Sequence, residues 1–326
     1  MADALTLALY LPLLGGAALA VWRRPVVALY LFLVGLALHN LALSLIYDAG
    51  ARGIGLDAIQ AWQELLLAVA LARVATDAAR ARRLPFRPNL VDALAAAFAA
   101  VALLYALLPQ SLLDGEAGPK AVLYGLRHAL IPVAAYFLGR SVAGLGRAVP
   151  VLLSAAAAVA VFGLMDDFLV SVEWWRGSGA VGFYRDELGF DYHGPGGLPD
   201  NWAFNAGAEE GLYRRLVSTF VSPLGTAFMM VVALLVAAAR PSRLAWVAAP
   251  LCFAALLLTL SRSSMLALAG GLVVLSLARR VAWPAAAAVA VVAISFAFVS
   301  AYQTFAPETH FFPEDLPYQE QQAKVW

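Results

Sequence analysis

The charges of this 326-residue chain are sorted by sign between alternate gaps in a series of apolar runs, and that sorting limits the fold more than any other feature. Only 13% of the residues are charged and 63% are hydrophobic. An ordinary soluble domain carries about 25% charged residues. A chain this long and this apolar cannot close into one water-soluble core, and it is expected to be an all-α, polytopic integral membrane protein.

About ten transmembrane helices are expected. They centre on Leu5–Val21, Val26–Ile46, Ala58–Val74, Val91–Leu108, Ala121–Leu138, Pro150–Met165, Thr219–Ala239, Ala245–Leu260, Met265–Leu277 and Val281–Ala301. Each is near the ~20 residues that cross a bilayer. Ala and Leu dominate, without the ~10-residue alternating segments of a membrane β-barrel. Small residues such as Gly15-Gly16 and Ala155–Ala158 suit close helix packing in lipid.

One set of gaps holds Arg23-Arg24, five arginines from Arg73 to Arg87, then Arg140 and Arg147, Arg240 and Arg243, and Arg279-Arg280. These are 13 of the 22 basic residues, accompanied only by Asp77 and Asp92. The alternate gaps hold the other basic residues and almost all the acids. Ten crossings put every basic gap on one side, which the positive-inside rule makes cytoplasmic. Localisation is therefore expected in the inner membrane, with both termini external. Met1-Ala2-Asp3-Ala4 lacks the basic start of a cleaved signal peptide, so the first run reads as a retained helix.

Residues 1–326 read as a single membrane domain. Within it, 171–215 is expected to be a long external loop, and 302–326 the start of a second one. The first contains Glu173-Trp174-Trp175-Arg176, Gly182-Phe183-Tyr184-Arg185-Asp186 and His193-Gly194-Pro195-Gly196-Gly197. Long loops are usually functional or disordered, and this aromatic content argues for a partly ordered lid lying at the membrane surface. Cys252 lies alone in an apolar run and reads as a small buried hydrophobe.

Arg262 is the sharpest candidate for chemistry. It stands in Leu258-Thr259-Leu260-Ser261-Arg262-Ser263-Ser264-Met265, between two apolar helices with almost no loop, at the outer membrane boundary. A cation there opposes the charge rule, and such residues tend to be functional or paired. A guanidinium can hold phosphate oxygens bidentately, with Ser261, Ser263 and Ser264 adding donors near a helix N-terminus. The plainer reading is a snorkelling arginine at a tight turn. Arg214-Arg215, just before Leu216-Val217-Ser218-Thr219-Phe220-Val221-Ser222-Pro223-Leu224, would converge on the same anion, or else pair with Glu209-Glu210. Arg127, in Gly125-Leu126-Arg127-His128, offers a further anion contact or an interfacial anchor.

Glu64 and His39 lie in apolar runs and could pair across helices, as on an ion path. Asp166-Asp167 could bind a divalent ion or catalyse, although a solvated helix end is the simpler expectation. External His193 and His310 are weak candidates for a general base. No His/Asp/Glu cluster has metal-ligand spacing, and no cofactor motif or nucleic-acid-binding feature is present.

The stretch Leu258–Ser264, following Phe220-Val221-Ser222-Pro223-Leu224, resembles the O-antigen ligase / O-antigen polymerase superfamily. Its members share a T-x-S-R-(small) turn between two apolar helices and an earlier R…(S/G)TF-x-(N/S)P helix start. The helix from Gly125-Leu126-Arg127 to Gly139-Arg140 fits the same pattern. The likeness covers most of the chain by architecture and rests on short motifs. It implies metal-independent glycosyl transfer at the outer face of the inner membrane. The donor would be a glycan on undecaprenyl pyrophosphate, and the acceptor a sugar hydroxyl on a lipid or polysaccharide. The family's outward arginines hold the pyrophosphate, which maps onto Arg262 and onto Arg214 or Arg215. The resemblance also implies a catalytic histidine deep in a large outer loop. The chain stops at Trp326, in what reads as the start of that loop, so it is expected either to be the N-terminal part of a longer enzyme or to lack the base. Two other readings stand beside this one: a membrane solute carrier, and a non-catalytic subunit of a polysaccharide assembly system.

Overall fold

A computed structural model describes residues 2–109, 112, 115, 118–189, 198–205 and 212–304. The chain is an all-α membrane protein. Its principal helices are α1 (Ala2–Arg23), α2 (Val26–Asp48), α3 (Ile54–Gln60), α4 (Trp62–Ala81), α5 (Leu90–Leu107), α6 (Pro119–Ser141) and α7 (Ala148–Leu169). After two short helices, α8 (Val172–Gly177) and α9 (Gly179–Gly182), come α10 (Pro223–Ala239), α11 (Arg243–Leu258), α12 (Arg262–Arg279) and α13 (Trp283–Ala301).

Each of the ten apolar runs overlaps a helix, although the third is broken at Ala61 and the seventh and eighth run on into turns. Seven helices are long and apolar enough to cross a membrane alone, and α3 with α4 passes the same test as a pair bent by 43°. Helices α10 and α11 are apolar but only 17 and 16 residues long. They fall short of ~20 residues because the chain at 216–222 and 259–261 leaves the helix to build turns. Large apolar side chains such as Leu13, Phe98, Leu107 and Phe296 are exposed along the helices. In water such surface would drive association, whereas in lipid it is the solvated face.

Where the sequence reads as one membrane domain, the contacts sort the chain into two compact units. One comprises 7–32 and 58–146. Its core is Val21, Ala28, Phe32, Leu66, Leu67, Ala70 and Leu138. Asn89 and Asp92 form a capping box at the start of α5, each side chain accepting from the other's backbone N–H. Arg140 Nε donates to Asp92 Oδ1 at 3.0 Å and Tyr136 Oη donates to the same oxygen at 2.7 Å. Asp92→Asn keeps the cap acceptor but loses the charge facing Arg140. It is expected to lower the melting temperature in detergent by more than Tyr136→Phe, which differential scanning fluorimetry would check.

The other unit comprises 1–6, 33–57 and 147–326. Helices α7, α10, α11 and α12 meet through small residues, among them Ala156, Ala160, Ala227, Ala248 and Ala255, and Cys252 is buried with them. Helices without large side chains at the contact approach closely, which is how packing is won in lipid. Gly271 of α12 shows the same economy, since a Cβ there would lie 2.7 Å from the Leu235 side chain of α10.

The segment between α7 and α10 has a core of its own, built from Val172, Trp175, Ala180, Leu198, Trp202, Val217 and Val221. Trp175 and Trp202 are buried and meet edge to face at 5.2 Å. Of the tryptophans expected at the membrane surface, Trp174 is exposed but its neighbour Trp175 is not. Strands β1 (Ala203–Asn205) and β2 (Leu212–Arg214) pair antiparallel, Ala203 opposite Arg214. This hairpin has no counterpart in the sequence reading, because three-residue strands are too short to show a period of two.

Candidate functional site

Two turns of the second unit are laced together. The Leu216 N–H donates to Leu258 O at 3.0 Å, and Arg215 Nε donates to Thr259 O at 2.7 Å. The carbonyls at the end of α11 have no intrahelical partner, and Arg215 and Leu216 supply two donors for them. Arg215 Nη1 also donates to Asn201 O at 2.9 Å. Burial lowers the pKa of this guanidinium, but an arginine side chain remains a cation at neutral pH.

The first turn is clamped by side chains on both flanks. Ser218 Oγ donates to Val159 O of α7 at 2.7 Å, Thr219 Oγ1 to Ala37 O of α2 at 2.5 Å, and Asn40 Nδ2 of α2 to Phe220 O at 2.8 Å. Ser222 caps α10, with Pro223 at its first position. Gly163 of α7 makes room, since a Cβ there would lie 2.7 Å from Leu216 and 2.9 Å from Ser218. Gly163→Val is expected to destabilise the protein by about 1–3 kcal/mol through overpacking. A melting temperature no lower than wild type would show that the turn does not seat on α7.

Three of the five non-glycine residues with positive φ lie in these turns: Ser218 (54°), Val221 (53°) and Leu260 (51°). The other two, Arg82 and Arg280, end helices. A β-branched residue in the left-handed region is a genuine outlier. Such strain persists only where the surroundings enforce it, and it gathers at functional sites.

Arg262 opens α12. It is exposed, and its guanidinium carbon lies 5.4 Å from the centroid of the Phe204 ring on β1. It makes no ion pair or hydrogen bond among the described residues. Ser261 precedes it as N-cap but makes no side-chain capping bond. Its hydroxyl lies instead 2.8 Å from Ser264 Oγ and 3.4 Å from Ser263 Oγ. Ser261 and Ser264 are buried, so of the three serines only Ser263 is presented outward. The first-turn amides of α12 therefore stay uncapped beside an exposed cation and a hydroxyl, an arrangement that suits an anion.

Arg214 is placed differently from the sequence expectation of an outward anion contact. It is 2% exposed. Its Nη2 donates to Asp166 Oδ1 at 2.6 Å and its Nη1 to Val170 O at 2.6 Å. Asp167 Oδ1 lies 3.9 Å from Arg214 Nε. Trp175 Nε1 donates to Asp166 Oδ1 at 2.7 Å. Asp166 and Asp167 are each 1% exposed, so the expected solvated helix end is a buried charge cluster. No group of three metal-ligating side chains occurs among the described residues. Tyr302 closes the cluster, its hydroxyl 3.5 Å from Arg214 O, and burial raises its pKa.

Arg127 belongs to the other unit. It forms an ion pair with Glu64 and donates to Gln60 O at 3.1 Å. Glu64 thus finds its partner in Arg127, where the sequence offered His39. His193, His310, Glu209 and Glu210 lie outside the described residues. Of the sequence candidates, Arg214, Arg215 and Arg262 come together around the two turns, with Arg262 presented, Arg215 half-buried and Arg214 buried. Phe204, Asp166 and Trp175 were missed as neighbours of these arginines. Comparison of the chain with protein-family models, curated proteins and solved structures finds no match.

Proposed function

We propose that this chain is a membrane glycan transferase of the O-antigen ligase or polymerase kind, gripping a glycan-linked undecaprenyl pyrophosphate at the Arg262 turn on the outer face of the inner membrane. The observation that carries the reading is the state of Arg262. It is an exposed, unpaired cation held over Phe204 at the uncapped start of a membrane helix. Residues 211–307 contain no Asp or Glu, so nothing nearby in sequence neutralises it. A pyrophosphate supplies the missing counter-charge and acceptors for the guanidinium fork, the Ser263 hydroxyl and the first-turn amides.

In this reading the acceptor hydroxyl oxygen attacks the anomeric carbon of the donor sugar. The bond from that carbon to the phosphate oxygen breaks, and undecaprenyl pyrophosphate leaves with the electron pair. The acceptor proton passes to a base, for which the sequence offers His193 and His310. Arg262 stabilises the negative charge growing on the leaving pyrophosphate. Arg215 holds the two turns in register through Thr259 and Asn201. Arg214 acts from within the fold as the counter-charge of Asp166. With ten crossings, the basic turns face the cytoplasm, the Arg262 turn faces outward, and both ends of the chain are external.

Reconstituted with a pyrophosphate-linked glycan donor and a sugar acceptor, the chain is expected to release undecaprenyl pyrophosphate and extend the acceptor. Donor binding without transfer would identify a non-catalytic subunit. Failure to bind the donor would contradict the proposal. The buried Asp166–Asp167–Arg214 cluster is the observation that favours the rival solute-carrier reading, since ionisable groups inside membranes often mark ion paths. Ion-coupled uptake into proteoliposomes that is lost in Asp167→Asn would support that rival.

A further inference from the structure

The second unit carries a groove that the transferase reading does not use. It is formed by α10, α11, α12 and α13, has a volume of about 470 Å³, and is lined almost wholly by apolar side chains. Pro241, Trp246, Leu272 and Trp283 are among them. Trp246 is 79% and Trp283 51% exposed, so two large aromatic rings stand at the groove with free surface. A groove of this size is in the range of small-molecule sites.

Its chemistry is set by what surrounds one end. The α10–α11 turn carries Arg240 and Arg243 on either side of the lining residue Pro241, and the α12–α13 turn carries Arg279 and Arg280 just before Trp283. The two turns are in contact, because Arg279 Nη2 donates to Ala239 O at 2.6 Å. All four arginines are exposed, and none forms an ion pair among the described residues. The absence of any acid from 211 to 307 means that this segment cannot neutralise them itself. An apolar trough thus ends at a fourfold cationic rim with indole rings at the boundary, which is the amphipathic profile of a single lipid molecule.

We propose that this groove is a binding site for an anionic glycerophospholipid, its acyl chains along the groove and its phosphate at the rim of Arg240, Arg243 and Arg280. Arg279 positions the rim by tying the two turns together. The site is separate from the Arg262 turn, which lies at the opposite end of α12, and it stands whether or not the chain transfers a glycan.

The test uses the fluorescence of Trp246 and Trp283 in the full chain, reconstituted in phosphatidylcholine vesicles. Dibrominated phosphatidylglycerol or dibrominated phosphatidylcholine is added as quencher. The brominated anionic lipid is expected to reach half-maximal quenching at a mole fraction about tenfold lower, because the rim cations attract its headgroup. The preference should vanish in Arg240→Gln/Arg243→Gln/Arg280→Gln and persist when the same positions become Lys, which preserves the charge that sets topology. It should also vanish in Trp246→Phe/Trp283→Phe, which removes the reporters and leaves the rim. Equal quenching by the two lipids overturns the proposal. So does a preference that survives the Gln variant, or one still seen without the two tryptophans, because it would then arise elsewhere on the protein.

Discussion

Arg214→Met is expected to destabilise the protein by about 3–5 kcal/mol, the cost of stranding a buried charge without its partner. The side chain is enclosed, and Asp166 and Asp167 face it from α7. Methionine fills much the same volume, so packing changes little and the loss reports the charge. Asp166 keeps its bond from Trp175, whereas Asp167 has no hydrogen bond among the described residues and would face an apolar side chain in the variant. The double change Arg214→Met/Asp166→Asn removes one charge of each sign and should recover part of the stability. Denaturation in mixed micelles, followed by tryptophan fluorescence, would measure both. A variant as stable as wild type would mean that the cluster does not anchor β2 to α7.

Arg262→Ala is expected to leave stability nearly unchanged, because the side chain is exposed and makes no hydrogen bond or ion pair among the described residues, only its contact over the Phe204 ring. Its effect should fall on transfer, with a loss of about 10²–10³-fold, the usual consequence of deleting one donor aimed at developing negative charge. Arg262→Lys keeps the charge but not the planar fork, and should retain an intermediate rate. Phe204→Leu removes the ring under the guanidinium and should cost less than either change at Arg262, since a cation–π contact at an exposed site is worth about 0.5–1 kcal/mol. Surface glycan or product formation at the wild-type level in Arg262→Ala, with the protein inserted, would remove Arg262 from the reaction.

The helices were legible because most are written as long apolar runs, and each of the ten runs overlaps a helix. Their ends were less so. Thr219 to Val221 and Thr259 to Leu260 are apolar or small enough to extend a helix on paper, yet Val221 and Leu260 are left-handed and the helices stop short of them. The Arg262 turn could be found because its cation breaks the charge pattern. The role of Arg214 could not, because its partner Asp166 is 48 residues away and no local period links them. Trp175 misled for a related reason. A tryptophan-rich segment has the same composition whether its rings lie at a membrane surface or, as Trp175 does against Trp202, bury against each other. The anionic-lipid groove was half visible, since the basic turns were plain in the sequence but the trough between four helices was not.

The most direct test of the central claim is equilibrium binding of undecaprenyl pyrophosphate to the protein in phosphatidylcholine nanodiscs, for wild type and Arg262→Ala. Charge-assisted hydrogen bonds to an anion are worth about 1.5–3 kcal/mol each, so the variant should bind about 10–100-fold more weakly. Undecaprenol, which lacks the charge, should not distinguish the two proteins. Equal affinity of wild type and Arg262→Ala for the pyrophosphate lipid would contradict the account.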